Sequence, residues 1–149
     1  GGPLVICHGD FHPLNILVDK GAVTGVIDWA NITLADPAYD VGATTAIFSH
    51  GPVDIAAFAA PLVDAIRNWI IRRYRRRYEE LQDLDNAAAG YFEALRSLGF
   101  LVEAGQRIQA ERGIVTPTDK PTAFADPRQL RRIRERIEEL TGVPAALPN

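Results

Sequence analysis

A short pattern in the first part of this 149-residue chain fixes much of what it can fold into. Two runs rich in β-branched residues, ILVD at 16–19 and AVTGVID at 22–28, are separated only by Lys20 and Gly21. A two-residue connection that ends in glycine is typical of a tight β-hairpin, because glycine readily adopts the positive φ angle that such turns need. We therefore predict a hairpin whose second strand ends at Asp28.

After this hairpin the sequence predicts helices. Asp36 and Pro37 form an N-cap followed by proline at the first helical position, which favours a helix over about 37–49. Further helices are predicted over 53–80, from an N-cap at Asn86 towards Ile108, and from Asp126-Pro127 to Gly142. Between the last two, VTPTDKPTAFADP is predicted to be a loop. The fold class is therefore α+β and mainly α.

The helix predicted over 53–80 carries apolar residues at three- and four-residue spacing. Such a stripe is expected to face a core. Its members are Ile55, Phe58, Leu62, Ile66, Trp69, Ile70 and Tyr74.

Composition excludes several classes of protein. A hydrophobic content of 47% predicts a folded chain, and a net charge of −3 provides no general attraction to nucleic acid or anionic lipid. No apolar run is long enough to span a bilayer and no leader opens the chain, so we expect a soluble protein. The single cysteine, Cys7, suits a reducing compartment, and we expect a cytoplasmic location.

Polar side chains interrupt the apolar run CHGDFHPLNILV at 7–18, shortly before Asp28. Carboxylate and amide oxygens are the ligands that Mg²⁺ prefers, and a phosphoryl transfer needs one further group that orients and deprotonates a hydroxyl. Asp10 would serve as that group, and Asn15 and Asp28 would hold the metal. The hairpin between these two residues would fix their separation.

The motifs HGDFHPLNILV, GVIDW and DPAYD, at about residues 5–42, together resemble the C-terminal lobe of the aminoglycoside phosphotransferases and related small-molecule kinases, which share the protein-kinase fold. The five-residue step from Asp10 to Asn15 is also the step from base to metal-binding asparagine in kinase catalytic loops. Gly9 stands where protein kinases have arginine, as is usual in this family.

This resemblance implies a role for each of the residues that match the motifs. Asp10 would be the catalytic base, and Asn15 and Asp28 would bind Mg²⁺ and, through it, ATP. His8 would brace the loop, and Asp40 would accept backbone N–H groups of the loop. The implied reaction transfers the γ-phosphate of ATP to a hydroxyl of a small molecule, an aminoglycoside-like antibiotic or a related alcohol.

The resemblance also implies what this sequence lacks. Residues 1–149 would form a single kinase-like C-terminal lobe, with the catalytic loop and hairpin at 4–35 and a helical subdomain at 36–149. The sequence has no glycine-rich phosphate loop, and its two lysines, Lys20 and Lys120, lie in a turn and in a loop. We therefore expect the N-terminal nucleotide-binding lobe to be missing, this piece alone to be inactive, and the exposed lobe surface to favour self-association.

Two other functions remain open at this point. His8, Asp10, His12 and Asp28 could instead be metal ligands of a metal-dependent hydrolase, although one further imidazole in the chain is little support for a zinc site. A kinase-like lobe could also be kept as a non-catalytic binding or assembly module. Cys7 has no activating base at a familiar spacing and is expected to be a small buried apolar residue.

Charged segments in the helical part are ambiguous. The segment RRYRRRY at 72–78 could contact nucleic acid, but its tyrosines continue the apolar stripe and its arginines would form a solvated face. We therefore expect no nucleic-acid partner. Four acids that follow could line a pocket for a cationic substrate or could be ordinary surface charge: Glu79, Glu80, Asp83 and Asp85.

Overall fold

The structure is a computed structural model that describes residues 4–51, 60–114 and 126–145. This part of the chain is mainly helical with a small antiparallel β portion, as predicted for the α+β class. The strands are β1 (Val5–Cys7), β2 (Ile16–Asp19), β3 (Ala22–Val26) and β4 (Thr33–Ala35). The helices are α1 (Pro37–His50), α2 (Ala60–Glu79), α3 (Asn86–Glu111) and α4 (Pro127–Thr141). The predicted loop at 115–127 lies outside the described residues over 115–125, and its last two residues, Asp126 and Pro127, are the cap and first residue of α4.

The predicted hairpin is confirmed. Strands β2 and β3 pair in antiparallel register, with Ile16 opposite Val26. Lys20 and Gly21 connect them with φ angles of 48° and 82°, so both turn residues occupy the left-handed region that tight hairpins use. The second strand ends at Val26, two residues earlier than predicted, because the chain bends away before Asp28.

The sequence did not reveal the second small sheet. β1 pairs antiparallel with β4, and Cys7 lies opposite Thr33. The three residues of β4 are too few to show an alternating pattern, and only the pairing with β1 makes them a strand. This pairing brings the chain back beside the start of the loop at 8–15, the predicted catalytic loop, just before α1 begins.

Helix α1 begins as the sequence predicts. The Asp36 carboxylate accepts a hydrogen bond from the Ala38 N–H at 2.9 Å, and Pro37 is the first helical residue. Ala38 and Val41 are fully buried and pack with Ala89 of α3. Helix α1 thereby ties the β portion to the helical core.

A second apolar cluster joins α1, α3 and α4. Its buried members are Ala46, Phe100, Leu101, Ala104, Leu130, Ile133 and Ile137. Helix α4 starts at the predicted cap, where the Asp126 carboxylate accepts from the Arg128 N–H, and ends at Gly142 with a φ of 69°. A buried acid of α3, Glu93, also binds Arg136 of α4 at 2.7 Å.

Two predictions about the helices are wrong. Leu62, Ile66 and Trp69 are 49–64% exposed, and none of the described residues of α2 is buried, so this part of the predicted stripe does not face a core. The apolar packing of α2 lies near its end, where Tyr74 and Tyr78 contact the cluster around Val41. Of the other members, Ile70 is half-buried, and those at 55 and 58 lie outside the described residues.

The cap of α3 was also assigned to the wrong residue. Asp85, and not Asn86, is the N-cap, since its carboxylate accepts from the N–H groups of Ala87 and Ala88. Asn86 is the first helical residue. Within the three described ranges, no helix is both long enough and apolar enough to span a membrane.

Close contact between α1 and α3 depends on Gly42. A Cβ atom there would lie 2.5 Å from the Ala89 carbonyl oxygen and 2.7 Å from the Glu93 backbone nitrogen. We expect Gly42→Ala to lower the free energy of unfolding by about 1–3 kcal/mol, because the two backbones must separate. Gly99→Ala, on the open face of α3, is the matched control and should raise it by about 0.5–1 kcal/mol. Urea denaturation measures both, and equal effects would contradict the packing.

Candidate active site

The loop that follows β1 starts with a turn that only glycine fits. Gly9 has a φ of 74°, and a Cβ atom on it would lie 2.9 Å from the Asn31 carbonyl oxygen and 3.1 Å from the Tyr39 hydroxyl. The arginine that protein kinases have here would be strained by the positive φ, and its Cβ would be too close to Asn31 and Tyr39. The glycine thus lets the loop lie against the segment that follows Asp28.

The carboxylate of Asp40 holds this turn from α1. Its two oxygens accept hydrogen bonds from the backbone N–H groups of His8 at 2.8 Å and Gly9 at 2.7 Å. Hydrogen bonds to a charged acceptor are stronger than those between neutral groups. Asp40, in the first turn of α1, therefore fixes the start of the catalytic loop relative to the helical core.

His8 links the loop to the end of the hairpin. Its Nδ1 accepts from the Asp10 N–H at 3.3 Å, which leaves the proton on Nε2 to donate to the Ile27 carbonyl oxygen at 2.9 Å. The ring is buried and lies 4.5 Å from the Trp29 ring. Both nitrogens of His8 are therefore engaged within the protein, and Asp10 and the residue before Asp28 are held by one side chain.

Asn15 connects the same parts of the chain from the other side. Its side-chain nitrogen donates to the Asp10 carbonyl oxygen at 2.9 Å and lies 3.2 Å from Nε2 of His12. Its backbone carbonyl accepts from the Ile27 N–H at 2.9 Å. Asn15 is buried, yet its side-chain oxygen has no hydrogen-bond partner among the described residues. This backbone contact holds Asn15 next to Ile27, the residue before Asp28.

Asp28 has an unusual backbone conformation. Its φ of 62° and ψ of 58° place it in the left-handed region, which aspartate tolerates better than most residues but at some energetic cost. The side chain is exposed and caps no helix, although Asp28 immediately precedes a 3₁₀ turn at Trp29–Asn31. Among the described residues, the Asp28 carboxylate therefore forms no hydrogen bond and no ion pair.

Asp10 lies at the centre of this group and has a partner that the sequence did not suggest. One of its oxygens is 3.2 Å from an Nη of Arg96 on α3, and the other is 3.6 Å from Nε2 of His12. Arg96 is 86 positions away along the chain, and no spacing rule connects the two residues. Only the packing of α3 on α1 brings them together.

Other groups near the loop are unsuited to proton transfer at neutral pH. Burial, aided by the nearby Asp40, raises the pKa of the Cys7 thiol, and Cys7 is fully buried as expected. Burial also raises the pKa of Tyr74 to about 12, where its ring stacks at 6.4 Å on that of Phe11. Neither side chain is suited to act as a base at neutral pH.

The four residues considered for a hydrolase do not form a ligand set. Across residues 4–51, 60–114 and 126–145, no group of three or more His, Cys, Asp or Glu side chains is placed to hold a metal ion. Both ring nitrogens of His8 already form hydrogen bonds with backbone groups of the protein. No observation on the described residues favours the hydrolase.

The chain matches a known protein family over the part that contains the predicted site residues. A model of the phosphotransferase enzyme family matches residues 1–81, which include β1, the hairpin, α1 and α2. This match covers more than half of the chain. The chain belongs to the phosphotransferase enzyme family. The resemblance that the motifs suggested is confirmed at this level.

A curated relative gives a narrower match. The uncharacterized protein YcbJ of Bacillus subtilis (strain 168) is 48% identical over 46 residues, which are 30% of this chain and 15% of that protein. The chain thus covers only a small part of the relative's length. No solved structure matches.

The Asp40 contacts can be tested through stability. Asp40→Ala removes two charge-assisted hydrogen bonds and should lower the free energy of unfolding by about 2–4 kcal/mol. Asp40→Asn keeps one acceptor oxygen and should lose less. Asp36→Ala, which removes only the cap of α1, is the control and should cost about 1 kcal/mol. If urea denaturation shows no larger loss for Asp40→Ala than for Asp36→Ala, the loop is not held by this carboxylate.

Proposed function

We propose that this protein transfers the γ-phosphate of ATP to a hydroxyl of a small molecule, an aminoglycoside-like antibiotic or a related alcohol. The observation that carries the proposal is the hydrogen bond from Ile27 N–H to the Asn15 carbonyl, which joins the catalytic loop to the residue before Asp28. Family membership supports the class of reaction.

Asp10 would accept the proton of the acceptor hydroxyl. The oxygen of that hydroxyl then forms a bond to the γ-phosphorus, while the bond from this phosphorus to the bridging oxygen breaks and ADP leaves. The proton ends on the Asp10 carboxylate and later passes to solvent. Arg96 contacts one oxygen of Asp10 and so orients the carboxylate, and the second oxygen, which lies 3.6 Å from Nε2 of His12, would accept the proton.

The residues proposed for the metal fit Mg²⁺. Asn15 offers a side-chain oxygen and Asp28 a carboxylate, and neither has a hydrogen-bond partner among the described residues. Hard oxygen ligands of this kind suit Mg²⁺, which would neutralise charge on the phosphates.

The remaining parts of the proposal concern the whole protein. In a kinase-like architecture, residues 1–149 would be the C-terminal lobe, and an N-terminal lobe would cover the nucleotide and be the chief partner of this lobe. Surface that this lobe would cover could also promote self-association when it is absent. A cytoplasmic location would supply ATP. Nothing in the described residues favours a binding-only module over the enzyme.

Replacement of the base tests the proposal directly. In the whole protein, with Mg²⁺, ATP and a panel of hydroxylated acceptors, Asp10→Asn should lower kcat by about 10²- to 10⁴-fold, because a general base contributes on that scale. Asp19→Asn, an exposed aspartate at the end of β2, is the control and should keep full activity. ADP formation measured by a coupled assay gives the rates.

A structural defect would mislead this assay, so each variant is first compared with the parent by urea denaturation. Turnover that survives Asp10→Asn undiminished would show that another group removes the proton. Equal losses in the Asp10 and Asp19 variants would likewise contradict the assignment.

A further inference from the structure

We infer that Arg96 selects the acceptor by binding a carboxylate on it, so that the substrate is a hydroxy acid. The inference rests on the proposed function, because it names the class of molecule that Asp10 would deprotonate. It starts from the contact between Arg96 and Asp10, which no motif of the sequence accounts for.

Arg96 is held beside the reacting position by its own helix. Its guanidinium carbon lies 4.9 Å from the centre of the Phe100 ring, one helical turn further along α3. A cation over an aromatic face is attracted by the ring, and the flat contact limits how the guanidinium can turn. The group is thus presented to Asp10 in one orientation.

The hydrogen-bonding capacity of Arg96 is only partly used. A guanidinium has five N–H donors, and the bond to Asp10 is the single one that Arg96 makes among the described residues. Its Nε is buried without a partner, whereas the side chain as a whole remains 32% exposed. Of its two Nη groups, only one N–H therefore has a partner among the described residues, and the others stay available to a ligand.

The nearest acid on the same helix does not compete for Arg96. Glu93 is buried and binds Arg136 at 2.7 Å, with Arg75 at 4.0 Å. Among the described residues, Asp10 is thus the acid that contacts Arg96. Asp10 engages one Nη of Arg96, and the planar guanidinium has further N–H donors that can hold a second carboxylate.

Because Arg96 lies next to Asp10, binding of the substrate by Arg96 would also position the substrate for proton transfer. A carboxylate on the free edge of Arg96 would bring the rest of the acceptor next to the second oxygen of Asp10. Holding the reacting hydroxyl near its base in this way is a large part of what a phosphotransferase must achieve. Arg96 would then touch the substrate and orient the base at the same time.

A pocket for a cation is less well supported. Glu79 accepts a hydrogen bond from Asn86, Glu80 pairs with Arg77 at 2.8 Å, and Asp85 caps α3. The side chains of Glu79, Glu80 and Asp85 are therefore already bound to other groups of the protein. Asp85 also lies eleven residues before Arg96, about 16 Å along the helix axis.

The test compares acceptors that differ only in charge. The whole protein is assayed with hydroxy acids and their amides, glycerate with glyceramide and gluconate with gluconamide, and with the amino alcohol ethanolamine. The parent should prefer each acid to its amide. Arg96→Gln should lower kcat/KM for all acceptors, because Asp10 loses a contact that orients it, but about 10- to 100-fold more for the acids than for their amides. Arg96→Lys should restore part of the preference for acids.

Arg107→Gln is the matched control on α3, since Arg107 pairs with Glu111 at 2.8 Å on the surface. It should not alter the preference for acids. If Arg96→Gln lowers acids and amides equally, Arg96 only supports the loop and the inference is wrong. A preference of the parent for ethanolamine or for the amides would also overturn it.

These results can be separated from failure of the proposed function. Phosphorylation of amides or ethanolamine that is lost in Asp10→Asn would keep the phosphotransferase and overturn only the role of Arg96. Phosphorylation that persists in Asp10→Asn, or no turnover with any acceptor, would count against both.

Discussion

The arrangement of this site depends on one carboxylate at the start of a helix. Asp40 accepts the N–H groups of two consecutive residues, His8 and Gly9, and so holds the first turn of the catalytic loop against α1. The contact works only because Gly9 can adopt a positive φ and has no side chain to collide with Asn31. Since α1 is buried against α3, the loop takes its position from the helical core. Close approach of two helices thus determines where a short polar loop lies.

From this fixed start the loop reaches the hairpin through backbone groups. His8 donates to the Ile27 carbonyl, and the Ile27 N–H donates to the Asn15 carbonyl, so one residue of the hairpin is held on both sides. Asp28 follows directly, in a conformation that aspartate seldom adopts. Strain of this kind commonly lies at functional positions, where the surrounding structure maintains it. The oxygens that this network leaves without a partner, on the side chains of Asn15 and Asp28, are the ones that we propose as ligands of Mg²⁺.

The sequence predicted those parts of the fold that depend on local chemistry. The Lys20-Gly21 turn and the cap at Asp36 were predictable because a few adjacent residues determine them. Strand β4 and the partner of Asp10, Arg96, were not, since each exists only through contacts between distant segments. The apolar stripe of α2 shows a further limit. Periodicity identifies the face of a helix but does not say what covers it, and Leu62 remains exposed in the described structure.

The central claim is that Asn15 and Asp28 jointly hold a divalent cation against a nucleotide. Electron paramagnetic resonance of Mn²⁺ with the whole protein and a non-hydrolysable ATP analogue tests it most directly. Asn15→Ala and Asp28→Asn should each weaken Mn²⁺ binding in the ternary complex by about tenfold or more, since one oxygen ligand is lost or loses its charge. Unchanged Mn²⁺ affinity in both variants would contradict the account.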